Sequence, residues 1–496
     1  MKVHLLFKDA DYDEGMPQPW NQGALAQDLG LGVLLEAMAG KDRLVYDVCQ
    51  KVLFDSLKDV GQVRYRQQVA EDCINNPQVA REMFLLAKDA IEMRKKQYWS
   101  TSSNRLSYLL HGSVRLLQML RENLMKLRRI ADAESGNFRS EGFRNLFGML
   151  KEELDDAYLE LMRTQLQELM FKDGVLMSSQ LGKSNYGVNY VLRKPPTRVD
   201  RWLKWRFAPR YCVHERDESG IADLSRRKDR AVNNTANILA QAADHVVSFF
   251  ESLMKELAFY IGCLNLEAAL RERGLPTAFP EVDGPGSLSH SFKGLYDVSL
   301  ALLKDGEVIG NGLSADSTDL FVITGANQGG KSTFLRGIGQ AQLMMQSGMF
   351  VPAESFRSNI ADGIYSHFKR EEDAGLKSGK LDEELVRMKD IVDRIRPGAM
   401  VLFNESFAST NEREGSEISR QVVLALVERG IKVFFVTHQY DFARSMFERA
   451  GARSVFLRPE RDEDETRTFR IIEGAPLPTS FGEDIYRRVF ESSQER

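Results

Sequence analysis

The stretch GANQGGKST, residues 325–333, constrains the fold of this chain more than any other part of its sequence. Apolar and β-favouring residues precede it at 320–324, and a pattern typical of a helix follows it. It satisfies G-x-x-x-x-G-K-[ST] in full, in the strand–loop–helix context that this pattern requires. Its glycines let backbone N–H groups surround phosphates, and the positive end of the helix dipole adds attraction. The stretch therefore predicts a nucleotide site in an α/β domain.

The residue types of this loop also predict a role for each side chain. Lys331 would neutralise oxygens of the β- and γ-phosphates, and Ser332 would ligate Mg²⁺. The predicted nucleotide-binding residues are Gly325, Ala326, Asn327, Gln328, Gly329, Gly330, Lys331, Ser332 and Thr333.

A second predicted strand, Ala399–Phe403, ends in Asn404 and Glu405. An acidic residue at the tip of a buried strand beside a phosphate loop can position or deprotonate an attacking water, so Glu405 is a candidate catalytic residue. A structural acid is the alternative. Asn404 stands where an aspartate would normally support the magnesium shell. Its amide offers one oxygen acceptor without charge, which makes Ser332 and Asn404 the predicted metal residues.

A third predicted strand, residues 431–437, is followed by His438. Ligands of open α/β sheets gather at the carboxyl ends of the strands. His438 would therefore lie where a sensor of the γ-phosphate is needed, and a histidine of the core is the alternative. Lys331, Glu405 and His438 are the predicted catalytic residues.

The chain before residue 276 is mostly helical in pattern, since apolar residues recur three and four positions apart. Runs this long imply helices that pack against each other. Glycine-punctuated, β-rich residues at 175–194 predict a hairpin. We expect an N-terminal helical domain at 1–100, a helical domain at 101–275 with the hairpin inserted, and an α/β domain at 276–496.

Residues 191–230 are locally basic, with twelve Lys/Arg against six Asp/Glu in a chain whose net charge is −4. Tryptophan, phenylalanine and tyrosine are interleaved with the bases. Such a stretch suits contacts with a DNA backbone and stacking on bases, with Arg201, Lys204 and Arg206 as candidates. It equally suits a seam between domains in which arginines pack on indoles.

Composition excludes several classes of protein. No window approaches the run of about 18 uncharged apolar residues that a membrane span needs. The N-terminal residues have no signal-type apolar core, and the four cysteines include no CxxC pair. We expect a cytoplasmic protein with reduced thiols and no membrane partner.

Five segments carry a resemblance to the ATPase domain of the MutS family of DNA mismatch-repair proteins. TGANQGGKST is similar to the family pattern TGPNMGGKST, including Asn327, which is uncommon in other phosphate loops. QSGMFVPAES, VLFNESFASTNEREG, FFVTHQYDFA and GAPLPTSFGEDIYRRV resemble the family's remaining ATPase segments in the same order. Upstream, VRYRQQVAEDCINNP resembles the start of the family's helical core, and helices at 232–272 fit its returning lever arm.

The resemblance implies an ABC-type P-loop ATPase domain that follows a mostly α-helical core and lever region. It implies ATP and Mg²⁺ as cofactors, a homodimer with nucleotide sites at the interface, and helical arms that engage DNA. Repair proteins are possible further partners.

Three departures from the family pattern limit what the resemblance implies. Asn404 replaces an aspartate, which predicts slow hydrolysis. The family's S-G-x-S is matched only as Ser378-Gly379-Lys380-Leu381, so a contact of its second serine with the partner's γ-phosphate is not expected. The roughly 275 residues before the ATPase segments contain no F-x-E wedge near the start, so recognition of single mismatches is not expected.

Three functional hypotheses remain from the sequence. The first is a DNA-binding ATPase that acts on unusual DNA structures such as branched intermediates. The second is a nucleotide-switched scaffold with little or no turnover. The third, an ABC-like ATPase unrelated to DNA, is disfavoured because no LSGGQ-like run precedes the second strand.

Overall fold

The structure is a computed structural model of the 496-residue chain. It describes residues 1–100, 106–171, 174–194, 211–304, 306–325, 329–370, 379–449, 451, 453–461 and 467–477. These residues form two compact units. Unit 1 contains the described residues of 1–4, 78–139 and 143–257, and unit 2 contains those of 5–77, 140–142 and 258 onward.

The described residues form fourteen α-helices. They are α1 (Gln22–Asp28), α2 (Leu31–Ala39), α3 (Arg43–Phe54), α4 (Val60–Asn75), α5 (Pro77–Ser100), α6 (Leu106–Glu134), α7 (Glu141–Glu153), α8 (Asp156–Glu168), α9 (Glu218–Glu272), α10 (Val298–Leu303), α11 (Lys331–Gln346), α12 (Lys380–Val392), α13 (Glu412–Glu428) and α14 (Tyr440–Glu448).

The strands follow the same order. They are β1 (Met177–Leu181), β2 (Gly187–Leu192), β3 (Glu281–Asp283), β4 (His290–Leu295), β5 (Asn311–Ser314), β6 (Leu320–Thr324), β7 (Ser355–Asn359), β8 (Ile364–Phe368), β9 (Met400–Asn404), β10 (Lys432–Thr437), β11 (Ser454–Arg461) and β12 (Arg467–Glu473).

Unit 1 is built from helices and one hairpin. Helix α6 buries one leucine stripe, and Arg121 on it donates from Nε to the Leu159 carbonyl of α8 at 2.8 Å. Strands β1 and β2 pair antiparallel, where the sequence predicts a hairpin. A small apolar cluster of Leu110, Val232 and Ala236, with Leu192 against it, joins the base of the hairpin to α6 and α9.

Unit 2 contains a six-stranded sheet in the order β12-β11-β6-β10-β9-β8. Every neighbouring pair is parallel except β11 and β12. All residues of β6 and β10 are buried, because a parallel sheet with both faces covered favours continuous apolar runs such as LFVI and VFFV. A second sheet has the order β3-β7-β4-β5. This mixed α/β architecture, with a helical N-terminal region, is the one that the sequence predicts.

Residues 5–77 pack in the same unit as the α/β region. Helix α11 carries three fully buried glutamines, and two of them bond to this N-terminal segment. Gln340 donates to the Leu29 carbonyl at 2.8 Å, and Gln346 donates to Ser56 Oγ at 2.6 Å. The division into domains at 1–100, 101–275 and 276–496 stays a prediction. Most residues of the predicted first domain pack in the same unit as the predicted third domain.

No helix within the described ranges combines the length and the apolar character that crossing a membrane requires.

Candidate nucleotide site

The loop between β6 and α11 has a glycine with a positive φ angle at both of its described ends. Gly325 has a φ of +128°, and a Cβ there would lie 2.6 Å from Pro459 Cδ. Gly330 has a φ of +86° and precedes the first residue of α11. Glycine adopts such angles readily, and the first N–H groups of a helix have no acceptor within the helix itself. Ala326, Asn327 and Gln328 lie outside the described residues.

Lys331 turns back into this loop. Its side chain is only 4% exposed, and Nζ donates to the Gly325 carbonyl oxygen at 2.6 Å. Burial lowers the pKa of Lys331, and the charge of Glu405 opposes that shift. An ammonium that is largely removed from water gains from a bound anion, because the anion replaces the lost solvation. The position suits a lysine that contacts phosphate.

Ser332, in the first turn of α11, contacts Asn404, the last residue of β9. The Ser332 hydroxyl donates to Asn404 Oδ1 at 2.9 Å, which places the first turn of α11 against the end of β9. Both groups present neutral oxygens at one point of the sheet edge. Among the described residues, no cluster of three or more His, Cys, Asp or Glu side chains could hold a metal ion. The Ser332 hydroxyl and the Asn404 amide oxygen are donors of the kind that a hard cation takes.

Glu405 and His438 lie next to each other beyond the same edge. The distance from His438 Nδ1 to Glu405 Oε1 is 3.8 Å, an ion-pair separation. Interaction with His438 lowers the pKa of Glu405, as do the charges of Lys331 and Lys369, and burial only partly offsets this. The His438 side chain is 45% exposed, unlike a core histidine. The pair therefore presents an ionised carboxylate to the site.

Strand register explains why these residues converge. Thr437 pairs with Thr324, and Val436 pairs with Asn404. The residues that follow β6, β9 and β10 consequently leave the sheet at the same level, as expected for parallel strands. The sequence order alone separates them by more than a hundred residues, from Gly325 to His438.

A cavity of about 330 Å³ adjoins the loop at Gly330. Leu300, Val308, Ile309 and Phe334 line it, and Phe469 of β12 completes one wall. No sequence pattern predicts this cavity, because its walls come from distant segments. Its signals in the sequence are weak, namely the short apolar pair Val308-Ile309 after a charged turn.

Several sequence predictions lie outside the described residues. Arg201, Lys204 and Arg206 are among them, so their contact with DNA stays a prediction. Ser378 is also outside, Gly379 is the N-cap of α12, and Lys380 and Leu381 are the first two residues of that helix.

The architecture and the site together define a mixed α/β protein with a phosphate-loop sequence at the carboxyl edge of a largely parallel sheet. Its sequence matches two family models, the MutS2 N-terminal domain over residues 58–273 and MutS domain V over residues 321–490. The chain belongs to the MutS family.

Curated relatives agree with this assignment over part of their length. DNA mismatch repair protein MutS of Syntrophomonas wolfei is 28% identical over 194 residues, which is 38% of this chain and 22% of the relative. Endonuclease MutS2 of Thermus thermophilus is 28% identical over 196 residues, 39% of this chain and 26% of the relative. MutS of Microcystis aeruginosa is 25% identical over 327 residues, 59% and 36% respectively. The chain thus spans about a fifth to a third of the length of these relatives.

Proposed function

We propose that this chain is a DNA-associated ATPase whose nucleotide site is the loop at 325–333 in a P-loop domain of the ABC type. The observation that carries the proposal is the convergence of Lys331, the Ser332–Asn404 pair and the Glu405–His438 pair at one sheet edge. Domain V of the MutS family is its ATPase domain, which supports the proposal. The role is related to mismatch repair or recombination rather than to reading single mismatches.

The glycine conformations and Lys331 would bind the phosphates of ATP. Lys331 at present bonds a neutral carbonyl oxygen. Charge-assisted bonds to phosphate are roughly twice as strong as bonds between neutral groups, so exchange of the partner is favourable. Backbone N–H groups at the start of α11 would add their dipole to the same charge.

Ser332 and Asn404 fit a magnesium ion, since hydroxyl and amide oxygens are ligands that Mg²⁺ accepts. When bound, the ion would neutralise charge between the β- and γ-phosphates. Asn404 brings no negative charge to this task, and Glu405 is the carboxylate next to it in the chain.

Glu405 would act as the base for hydrolysis. Its lowered pKa keeps the carboxylate ionised, so it can accept a hydrogen bond from the attacking water and take its proton. His438 is exposed beside it and would donate to the γ-phosphate oxygen. The apolar cavity next to Gly330 would receive the adenine ring of ATP, with Val308, Ile309 and Phe469 as its contacts.

Membership of the MutS family is the ground for proposing that this chain contacts DNA and that it forms a dimer. Relatives of this chain are named DNA mismatch repair proteins, and the helical residues 58–273 match the MutS2 N-terminal domain. We propose a homodimer that clasps the nucleotide, helical arms that contact DNA, and further contacts with repair proteins. The cytoplasmic location expected from the sequence is compatible with this role.

The test is ATP turnover by the full chain without DNA and with duplex, branched or single-stranded DNA. We expect stimulation by at least one DNA, and its loss in Glu405→Gln with ATP affinity retained. Lys331→Ala should lose ATP binding itself. Absence of nucleotide binding by the unmodified chain would refute the proposal.

The basic stretch needs its own variant. Charge reversal at Arg201, Lys204 and Arg206 should weaken DNA binding and reduce its salt dependence, because fewer counterions are released. Unchanged affinity and an unchanged salt slope would assign these residues to a seam between domains instead.

Asn404 favours a second candidate, a nucleotide-switched scaffold. Its neutral amide already bonds Ser332, so the site can hold ATP with less charge near the ion than an aspartate provides. This candidate predicts tight retention of ATP with negligible turnover on every DNA. Asn404→Asp should then produce a turnover that the unmodified chain lacks, whereas under the first candidate it should raise a turnover that the unmodified chain already shows with DNA.

A further inference from the structure

The loop after β9 holds its backbone in an unfavourable conformation. Glu405 has a φ of +52° and Phe407 has a φ of +58°, and both are non-glycine residues. Left-handed backbone is unfavourable at a residue with a Cβ, and it persists only where the surroundings enforce it. Ser406 lies between the two and is 1% exposed. The contacts of Ser406 and Phe407 should therefore reveal what holds Glu405 in place.

His367 of β8 contacts both residues that follow Glu405. Its Nδ1 lies 2.8 Å from Ser406 Oγ, and the Ser406 hydroxyl also lies 2.5 Å from the His367 carbonyl oxygen. The imidazole stacks on the Phe407 ring, with centroids 5.3 Å apart. His367 is fully buried, and burial lowers its pKa to about 4. The ring is thus neutral near pH 7.

A neutral imidazole donates from only one nitrogen. Nε2 lies 3.0 Å from the Glu384 carbonyl oxygen of α12, which can only accept, so Nε2 carries the proton. Nδ1 is then an acceptor, and the Ser406 hydroxyl proton is shared between Nδ1 and the His367 carbonyl oxygen. One ring therefore connects α12 to the residue next to Glu405.

The Glu384 side chain makes a second connection to the same loop. Its carboxylate is 3% exposed and accepts from Ser409 Oγ at 3.0 Å. Helix α12 is thereby bonded to two points of the loop, through His367 at Ser406 and directly at Ser409.

We infer that His367 and Ser406 are positioning residues that fix the carboxylate of Glu405 for hydrolysis. The inference rests on the proposed function, in which Glu405 is the base. Without the hydroxyl of Ser406 the left-handed backbone loses its restraint, and Glu405 leaves its place beside His438. Nucleotide binding does not depend on these two residues, because Lys331 and the glycines hold their own contacts.

The experiment compares Ser406→Ala and His367→Gln with the control Ser366→Ala. Gln keeps a donor toward Glu384 but removes the acceptor toward Ser406. Ser366 is on the same strand as His367, is also buried, and donates to Asp28 Oδ2 at 2.7 Å away from the loop. Two quantities are measured in the full chain: amide hydrogen exchange of a peptide covering 404–410, and kcat, KM and ATP affinity.

We expect faster exchange in Ser406→Ala and His367→Gln, and a kcat lower by about 10- to 100-fold, as small misplacements of catalytic groups produce. KM and ATP affinity should stay within about twofold, since the phosphate contacts are intact. His367→Asn keeps an acceptor near Ser406 and should restore part of kcat. Ser366→Ala should match the unmodified chain in both quantities.

Failure of the positioning inference and failure of the proposed function give different results. Unchanged exchange at 404–410 in both variants would overturn the positioning inference, whatever the turnover. A chain that neither binds nor hydrolyses ATP would overturn the proposed function, and the exchange measurement would still decide whether His367 and Ser406 hold the loop. If Ser406→Ala fails to fold, the comparison of His367→Gln with His367→Asn decides alone.

Discussion

Glu405 illustrates how a single residue acquires its chemistry from its surroundings. Its backbone turns left-handed directly after β9, and its amide donates to the Val436 carbonyl of β10 at 2.9 Å. The carboxylate consequently points beyond the sheet edge toward His438 rather than into the core, where Phe403 and Phe407 lie. Hydrogen bonding with His438 and the charge of Lys331 then lower the pKa of this carboxylate.

The lowered pKa of Glu405 gives a prediction of pH dependence. A depressed pKa means that the carboxylate stays ionised while an ordinary glutamate, with a pKa of about 4.3, takes up its proton. The acid limb of kcat/KM should therefore lie below that value. In His438→Asn the largest cause of the shift is removed, so the limb should move to higher pH.

A pH–rate profile measures the limb, and carboxyl ¹³C NMR of Glu405 measures the titration directly. His245→Asn, at an exposed helical position, is the matched control and should leave the limb unchanged. A limb at the same pH in His438→Asn would contradict the assignment of the shift to His438.

At the scale of elements, α11 does more than carry the phosphate-loop lysine. Gln346, in its last turn, donates to Ser56 Oγ and to the Ala361 carbonyl, and its Oε1 accepts from the Ala361 amide. Buried polar groups must be paired, so these bonds fix the end of the helix against two segments that are far away in sequence. The helix is polar at three buried positions because it lies between strands and N-terminal residues rather than against apolar side chains alone.

Replacement of Gln346 by alanine should lower the free energy of unfolding of unit 2 by about 2 kcal/mol or more, because several buried groups lose their partner. Gln421→Ala provides the matched control, since Gln421 is exposed on α13 and its side chain donates to Glu417 one turn away. Chemical denaturation followed by tryptophan fluorescence measures both. Equal stability of the two variants would show that these hydrogen bonds contribute nothing.

Lys432, the first residue of β10, connects the two sheets of unit 2. Its Nζ donates to the Ser289 carbonyl at 3.0 Å and to Asn359 Oδ1 of β7 at 2.5 Å. Burial lowers its pKa to about 7, against the opposing charges of Asp283 and Asp319. Between pH 7 and the usual pKa of a lysine, the unfolded chain therefore binds one proton more than the folded chain.

This difference predicts that stability rises with pH, by about 1.4 kcal/mol per unit from this residue, from about pH 7 to 10. Below pH 7 both states are protonated and the contribution is constant. Lys432→Met should flatten the rise, measured by denaturation at pH 7 and pH 9.5. Lys389→Met, at an exposed ion pair on α12, should keep the slope of the unmodified chain.

At the scale of the whole molecule, the order of the chain and the order of packing differ. Residues 5–77 belong to the same unit as the residues from 258 onward, and the helical residues between them form the other unit. The N-terminal segment supplies buried partners such as Asn21, which donates to the Ile364 carbonyl at 2.8 Å. The α/β region is thus incomplete without residues from the beginning of the chain.

A fragment of residues 276–496 should consequently be unstable or insoluble, since the polar groups of α11 that face residues 5–77 would be exposed. Co-expression with residues 1–77 should recover soluble material that binds ATP. The measurement is the soluble yield and the melting temperature of the fragment with and without its complement. The prediction would be contradicted by a fragment that unfolds cooperatively without its complement, at the melting temperature that unit 2 has in the full chain.

Much of the candidate site was accessible from the sequence because its parts follow buried strands. Residues 320–324 were predicted as the strand that the structure shows, and the two other site strands differ by one residue at their ends. Apolar runs followed by polar residues are local signals, and parallel strands bring such ends together. The apolar cavity at Val308 and Phe469 gave no comparable signal, since its walls come from segments that are far apart in the sequence.

The sequence by itself determined the identity of the phosphate loop, the candidate base and the family. These follow from residue types at fixed spacing, and their physics acts within one strand–loop–helix unit. Only the tertiary structure placed His367 against Ser406, the residue after Glu405, and packed residues 5–77 in the same unit as α11. Such contacts join residues up to 343 positions apart, as Asn21 and Ile364 are. They depend on which buried polar groups find partners in the folded chain, and no local pattern records that outcome.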